Sequence, residues 1–487
     1  MNVLNNLEPK NVWKYFEQIT QVPRPSKKEE KIIAFLLNFA KENNLEAKRD
    51  HIGNILIRKP AAKGWENRKS VVLQSHMDMV CESNKDVEID FEKDPIIPYI
   101  DGEWVKAKGT TLGADDGIGV AAQMAILTDN TIEHGPLECL FTVDEETGLT
   151  GAFELKEVFF DSKILLNLDS EDEGEIFIGC AGGIDATATF KFKKEKISND
   201  HIAFKFIVNG LKGGHSGDEI HKGYGNSNKI ANRFLFDLTN KYDVRLSSFD
   251  GGNKHNAIPR EAEFIFTTDP KYKDNLISDF EKFKKNIQKE IIITEPKVNL
   301  ELNEVSIPDF VIDKETQKNL TYGLYACPHG VFAMSPAING LVETSTNLAA
   351  VKFNDNDTVK VVTSQRSSLE SGKTDINNMV KAVFDLAGAT VESGDGYPGW
   401  APDPDSEILK IAEKSYEKLF GKKPVVRAIH AGLECGLFLE KYPDLDMISF
   451  GPTLRGVHSP DEKIEIKTVK MWWDHLLDIL KNIPVEK

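Results

Sequence analysis

The chain has 487 residues, 40% hydrophobic and 28% charged, with a formal net charge of −17. This is the profile of a soluble globular protein long enough for two domains. Its acidity excludes nucleic acid and anionic membrane surfaces as partners, because both need clustered Lys and Arg.

The first residues, Met1-Asn2-Val3-Leu4-Asn5-Asn6, lack the charged start and apolar core of a signal peptide. No apolar run approaches the roughly 18 residues that span a bilayer. The cysteines (Cys81, Cys139, Cys180, Cys327, Cys435) are scattered without C-x-x-C spacing. A reducing, cytoplasmic location is expected.

Ser26 followed by Glu29 is a capping-box signal, predicting a helix through Ile32, Ile33, Leu36, Leu37 and Phe39. Short apolar runs at 54–58, 70–74, 137–143 and 164–168 predict strands, each bounded by turn residues or charge. A glycine-rich turn at 113–119 leads into a helical pattern through Val120, Met124 and Leu127. Strands separated by helices predict an α/β sheet covered on both faces.

From about residue 187 the pattern changes. Strand 201–208, helix 225–239, hairpin 243–267, helix 275–293 and strand 297–305 are followed by helix 315–325, hairpin 347–364 and helix 375–387. Two similar α+β units in tandem are expected, inserted into the first domain. Residues 394–399 read as the return linker, and 406–487 as helix–strand–helix rejoining the first sheet. The expected division is a discontinuous domain of 1–186 and 398–487 and an inserted domain of 187–397.

Acidic and histidine residues fall where the strand-like runs end. His76 and Asp78 follow one run, and Asp144, Glu145 and Glu146 a second. Asp169 follows a third, and His458 lies in the loop after Met447-Ile448-Ser449-Phe450. In open α/β sheets, sites form outside the carboxyl ends of strands, where side chains of different strands converge. The turn Gly113-Ala114-Asp115-Asp116-Gly117-Ile118-Gly119 is no phosphate cradle, since two carboxylates in its middle repel phosphate. A metal site suits that charge.

The motifs Ser75-His76-Met77-Asp78, Gly113-Ala114-Asp115-Asp116-Gly117, Asp144-Glu145-Glu146-Thr147-Gly148, Asp169-Ser170-Glu171 and Gly451-Pro452-Thr453 to His458-Ser459-Pro460 resemble those of the M20 metallopeptidases, in order along the whole chain. Gly179-Cys180-Ala181-Gly182-Gly183 and His430-Ala431-Gly432-Leu433-Glu434-Cys435-Gly436 resemble the aminoacyl-histidine dipeptidase branch rather than carboxypeptidases or deacetylases.

The resemblance implies an α/β zinc-peptidase domain, its mixed sheet covered by helices, with the inserted α+β domain as a lid. It implies two divalent metal ions, zinc first, with manganese or cobalt also acceptable to these ligands. His76, Asp115 and Asp169 would bind one ion and Asp115, Glu146 and His458 the other, Asp115 bridging. Each ion would then receive an imidazole, a terminal carboxylate and the shared carboxylate.

By the same resemblance Glu145 is the general base; Asp78, read as two residues on from His76 and on the same strand face, would orient that imidazole. The resemblance also implies that His215 stabilises the oxyanion and Asn256 contacts substrate. Arg366, between two serine stretches, is the candidate clamp for the C-terminal carboxylate, against the alternative of a solvated strand arginine, and His430 and Gly432 are expected to line the pocket. Cys81, His221, His255 and Cys327-Pro328-His329 read as loop or packing residues. The implied substrates are dipeptides, Xaa-His or carnosine-like with broad tolerance, and the implied assembly is a monomer or homodimer. The alternatives are a deacylase or carboxypeptidase acting on N-acyl amino acids, and a non-catalytic metal- or peptide-binding protein.

Overall fold

Four apolar runs, Leu137–Thr142, Val71–His76, Ile164–Asn167 and Asp446–Ser449, lie side by side as parallel strands. The first three are buried at every position and the fourth at all but its first residue. Burial on both faces is what makes such strands read as near-continuous apolar runs. Further strands, antiparallel at Glu46–Arg49, Ile55–Lys59 and Glu175–Cys180, extend this into an eight-stranded mixed sheet, running Glu46–Arg49, Ile55–Lys59, Leu137–Thr142, Val71–His76, Ile164–Asn167, Asp446–Ser449, Glu175–Cys180 and Val425–Ile429.

The computed structural model describes residues 3–198 and 200–486. It divides into two units: Met1–Cys180, Trp400–Ala428 and Leu433–Lys487 form one, Ala181–Gly399 and Ile429–Gly432 the other. In the first unit, helices Lys10–Ile19, Glu30–Glu42, Ala114–Thr128, Glu407–Phe420 and Ile466–Asn482 carry apolar stripes. Trp13, Phe16, Leu36, Met124, Ala412 and Trp472 of these stripes are buried. Ala114–Thr128 is buried along most of its length, with small residues at Gly117, Gly119, Ala121, Ala122 and Ala125.

The Ser26 capping box does not form. The second helix starts at Glu30, Glu29 precedes it without a side-chain cap, and the Ser26 hydroxyl donates to Asp78 Oδ2 at 2.8 Å. Glu29 instead accepts from the backbone N–H groups of Lys27 (2.7 Å) and Asp144 (3.1 Å). A buried carboxylate elsewhere in the sequence outcompeted the local cap.

The second unit holds one sheet in the order Asn299–Val305, Ile202–Asn209, Ala262–Thr268, Arg245–Gly251, Val342–Asn354, Thr358–Ser367, Gly182–Lys191 and Thr390–Ser393. Gly330–Met334 pairs with Val342–Asn354 off that path. With helices Ser227–Lys241 and Lys273–Ile291, residues 202–305 form a βαββαβ half whose strands, numbered within the half, lie in the order 4-1-3-2. Gly182–Lys191, Val342–Asn354, Thr358–Ser367 and Thr390–Ser393, with helices Lys314–Ala326 and Glu370–Leu386, repeat that order. The halves join through their second strands, Asp250 opposite Lys352 and Gly251 opposite Val351.

The two similar units are therefore nested, not consecutive. The first half is inserted between the first strand and first helix of the second. Its core is aromatic, with Phe206 stacked on Phe264 at 5.0 Å and Phe234 against Phe283 at 5.0 Å.

Residues 394–399 are more than a linker. Tyr397 and Gly183 exchange backbone hydrogen bonds at 2.8 and 3.1 Å, and a Cβ on Gly182 would lie 2.5 Å from Gly399 N. The glycines permit two backbones to touch.

Candidate metal centre

Three parallel strand ends, one helix start and the loop beyond a fourth strand bring the acidic and histidine side chains of the first unit together. His76 is the last residue of its strand and is 1% exposed. Asp115 lies in the first turn of Ala114–Thr128, beyond Gly113 at φ 67°. Glu145 and Glu146 open a short helix after Leu137–Thr142, with Asp144 at φ 47° turning the chain. Asp169 follows Ile164–Asn167, and His458 lies on the loop beyond Asp446–Ser449.

His76 Nε2 is 3.0 Å from Asp115 Oδ1 and 3.3 Å from Asp169 Oδ1. His458 Nε2 is 3.2 Å from Asp115 Oδ2 and 2.9 Å from Glu146 Oε2. Asp115 thus turns one oxygen to each histidine. Potential ligand atoms of His76, Asp115 and Asp169 lie within 4.8 Å of one another, as do those of Asp115, Glu146 and His458. Glu145 belongs to neither triad but groups with His76 and Glu146 on the same criterion.

Asp78 lies beyond the strand end, not on the strand, yet faces the other side of the His76 ring, its Oδ1 3.4 Å from Nδ1. It is held by the N–H groups of Glu145 (3.0 Å) and Glu146 (3.3 Å) and by Ser26. Asp116, beside Asp115, turns away and accepts from Gly119 N at 3.1 Å.

The electrostatics call for cations. Burial, reinforced by the charges of neighbouring carboxylates, drives the Asp169 and Glu145 carboxyls well above their ordinary range. Burial opposes charge on His76, but Asp169, Asp115 and Asp78 together hold its pKa well above that of free imidazole. Hydrogen bonds to Asp115 and Glu146 raise His458 to about 11. Glu146 Oε1 is buried without a hydrogen-bond partner among the described residues. Carboxylates and imidazoles so crowded fit a pair of divalent ions, which would supply the charge that the cluster lacks.

Sequence reasoning missed the residues that hold this cluster. Arg24, 3% exposed, donates through Nη1 to the carbonyls of Met77 (3.1 Å) and Asp78 (2.5 Å), and through Nη2 to that of Gly113. Glu462, 2% exposed, accepts from the N–H groups of Leu112 (2.7 Å), Gly113 (2.9 Å) and Ala114 (2.7 Å). Glu434 accepts from Gln74 Nε2 (2.6 Å) and Thr142 Oγ1 (2.9 Å), and burial raises its pKa to about 7. Cys81 is a partly buried thiol pushed up to about 11 by burial.

The remaining predicted residues lie in the second unit. Arg366 is not a solvated strand arginine but 6% exposed, with Nη1 2.8 Å from the Tyr397 hydroxyl. Its Nε is buried without a hydrogen-bond partner among the described residues. Ser345, opposite Arg366 in the sheet, contacts His430 Nε2 at 2.7 Å. Burial and the charge of Arg366 push His430 down to about 3, so its ring is neutral.

Gly432 abuts Tyr397, whose ring would be 2.9 Å from a Cβ there. A Cβ on Gly217 would meet the His430 carbonyl and lie 3.0 Å from the His215 ring. Asn256 is exposed, and its carbonyl accepts from Ser216 N at 2.9 Å. Burial and Arg366 lower the His215 pKa. His255 pairs with Asp185 at 2.7 Å, and His329, half-buried and lowered to about 4 by desolvation, contacts Asn226 Nδ2 through Nδ1 at 3.3 Å.

The strand-end cluster of histidines and carboxylates, with Asp115 facing both histidines, fits one class of enzyme, and the chain belongs to peptidase family M20/M25/M40, whose profile matches residues 72–482. Over its full length it is 45% identical to the cytosol non-specific dipeptidase of Escherichia coli strain K12, with 100% of each chain covered. It matches the crystal structure of aminoacylhistidine dipeptidase from Vibrio alginolyticus with a TM-score of 0.93 at 45% identity, covering 99% of both chains. Aminopeptidase PepT from Bacillus cereus ATCC 10987, at 17% identity and TM-score 0.57 over 98% of this chain and 99% of that one, shares the fold alone. Among the described residues no helix is long and apolar enough to cross a membrane.

Proposed function

We propose that the chain is a two-metal dipeptidase of the cytoplasm, with zinc as first choice of ion. Its substrates are dipeptides, taken with broad tolerance and including Xaa-His and carnosine-like ones. The observation that carries this reading is the pair of ligand triads sharing Asp115, with Glu145 outside both. Full-length identity of 45% to a bacterial dipeptidase supports the substrate class.

His76, Asp115 and Asp169 would hold one ion and Asp115, Glu146 and His458 the other; so bound, the ions supply carbonyl polarisation and an acidified water. Glu145 takes the proton of the attacking water and delivers it to the leaving amine. Asp78 fixes the His76 ring. The inserted domain is assigned to substrate binding. There Arg366 takes the free carboxylate in a two-pronged ion pair, Asn256, neutral His430 and Gly432 complete the pocket, and His215 donates to the oxyanion. Neither nucleic acid nor membrane takes part, and the enzyme works as a monomer or homodimer.

The test compares wild type with Glu145→Ala on Xaa-His dipeptides, tripeptides and N-acetyl amino acids, with metal content measured in both. Wild type is expected to cleave the dipeptides, and the variant to retain metal while losing at least about a hundredfold in rate, the scale of general-base removal. Equal rates in the two proteins refute the role of Glu145. Preference for N-acetyl amino acids makes the protein a deacylase, and dipeptide binding without cleavage makes it a binding module.

A further inference from the structure

Asp115 is common to both triads, but the other members of each triad stand on different backbone, so the contacts that tie the Asp115 turn to that backbone differ between the two. Two buried charged side chains hold that turn, one through its N–H groups and the other through a carbonyl, and neither has a role in the chemistry above. The Glu462 carboxylate sits in a nest of backbone N–H groups, from Leu112, Gly113, Ala114 and, at 3.3 Å, Asp115 itself. Glu462 lies on the same loop as His458, four residues further on. It therefore ties together the backbone carrying two of the three side chains of the Asp115–Glu146–His458 triad.

Arg24 staples the carbonyls of Met77 and Asp78, just past His76, to that of Gly113. It ties together two of the three members of the His76–Asp115–Asp169 triad. Its seat is cut for it, since a Cβ on Gly113 or Gly117 would come within 2.5 or 2.6 Å of Arg24 Nη2. Burying either charge is costly unless its hydrogen bonds are satisfied. Here those named bonds go to the backbone that presents the ligands.

We propose that Glu462 and Arg24 are positioning residues, each responsible for one of the two ion sites: Glu462 for the site of Asp115, Glu146 and His458, and Arg24 for the site of His76, Asp115 and Asp169. The assignment rests on the two-metal reading above. Both residues act through backbone, so neither needs to touch an ion.

The experiment titrates zinc into the chelator-stripped full chain by calorimetry, with a competing chelator and with thermal midpoint and circular dichroism as fold controls. Wild type is expected to show two binding steps. Glu146→Gln and Asp169→Asn identify which step belongs to which triad. Glu462→Gln should weaken the step lost in Glu146→Gln by about 10–100-fold, the usual effect of a residue supporting a ligand, and leave the other nearly unchanged. Arg24→Gln should do the converse. In Glu462→Ala, added formate should restore the lost step by occupying the vacated nest.

Two wild-type steps in Glu462→Gln and Arg24→Gln would overturn the proposal. So would equal weakening of both steps with a collapsed thermal midpoint, failure of both Glu462 variants to fold, or a loss in Glu462→Ala that formate does not reverse. A wild type that takes up a single zinc ion sinks the two-metal reading itself, an outcome distinct from all of these.

Discussion

Replacing Asp78 with asparagine alters one oxygen in a site where both are in use. Oδ1 accepts from Glu145 N and faces His76 Nδ1, while Oδ2 accepts from Glu146 N and Ser26 Oγ. In its better orientation the amide keeps oxygen at the Oδ1 position and sets its NH2 against the Glu146 N–H, 3.3 Å away in wild type. Ser26 can adapt by accepting; the Glu146 N–H cannot. Leaving that buried donor unpaired costs about 1–3 kcal/mol of stability.

His76 also exchanges a charged partner for a neutral one, which lowers its basicity as a ligand. Such changes weaken metal binding about 10–100-fold, or about 1.4–2.8 kcal/mol. Asp78→Asn is therefore expected to melt earlier as apoprotein and to release zinc at a chelator concentration at which wild type stays loaded. Chelator-competition titration and urea unfolding measure the two effects separately. Wild-type zinc affinity in a folded Asp78→Asn would refute the claim that this carboxylate orients the imidazole.

Arg366→Lys replaces a planar fork, one prong of which Tyr397 holds, by a point charge. We expect KM for dipeptides to rise by at least about tenfold, the scale of one lost charge-assisted contact, with kcat little changed. Wild type should discriminate strongly against dipeptide C-terminal amides and the variant weakly; equal discrimination in both would refute the carboxylate clamp. His475 of helix Ile466–Asn482 belongs to neither triad and is 3% exposed, with Nε2 2.9 Å from the Ala412 carbonyl. Burial holds its pKa down to about 4, below the ordinary 6.5. The folded state keeps it neutral while the unfolded state gains a proton below pH 6.5, so its stabilisation is full above 6.5 and disappears as the pH falls toward 4. His475→Gln should reduce the slope of unfolding free energy in that window by up to about 1.4 kcal/mol per pH unit, and urea unfolding across it would show an unchanged slope if this were wrong.

The candidate metal centre was legible because parallel strands betray themselves as apolar runs, and their ends mark where a site must lie. His76, Glu146 and Asp169 each follow such a run, and Asp115 stands in a glycine turn whose acidity excludes phosphate. Arg24 and Glu462 were illegible for a physical reason: their partners are carbonyl and N–H groups, which every residue has and no pattern records. Ser26 carried a sound local signal that a distant carboxylate overrode. Tyr397 sits among glycines that read as a loose connection, yet those glycines let backbones touch. The strand Gly182–Lys191 escaped notice because it begins with two glycines and runs through Ala186-Thr187-Ala188-Thr189, with Ile184 and Phe190 its only large apolar residues. Missing it made a nested arrangement look sequential.

That nesting bears on how the chain acquires its shape as it is made. The 202–305 half is contiguous, so all four of its strands exist once residue 305 has been synthesised. The surrounding half cannot be completed then: Gly182–Lys191 pairs with Thr358–Ser367 and Thr390–Ser393, which are made much later. Its early strand must wait, unpaired along both edges, while the inner half condenses beside it. The long pause falls on a segment poor in large apolar side chains, a composition that gives neighbouring chains little to stick to.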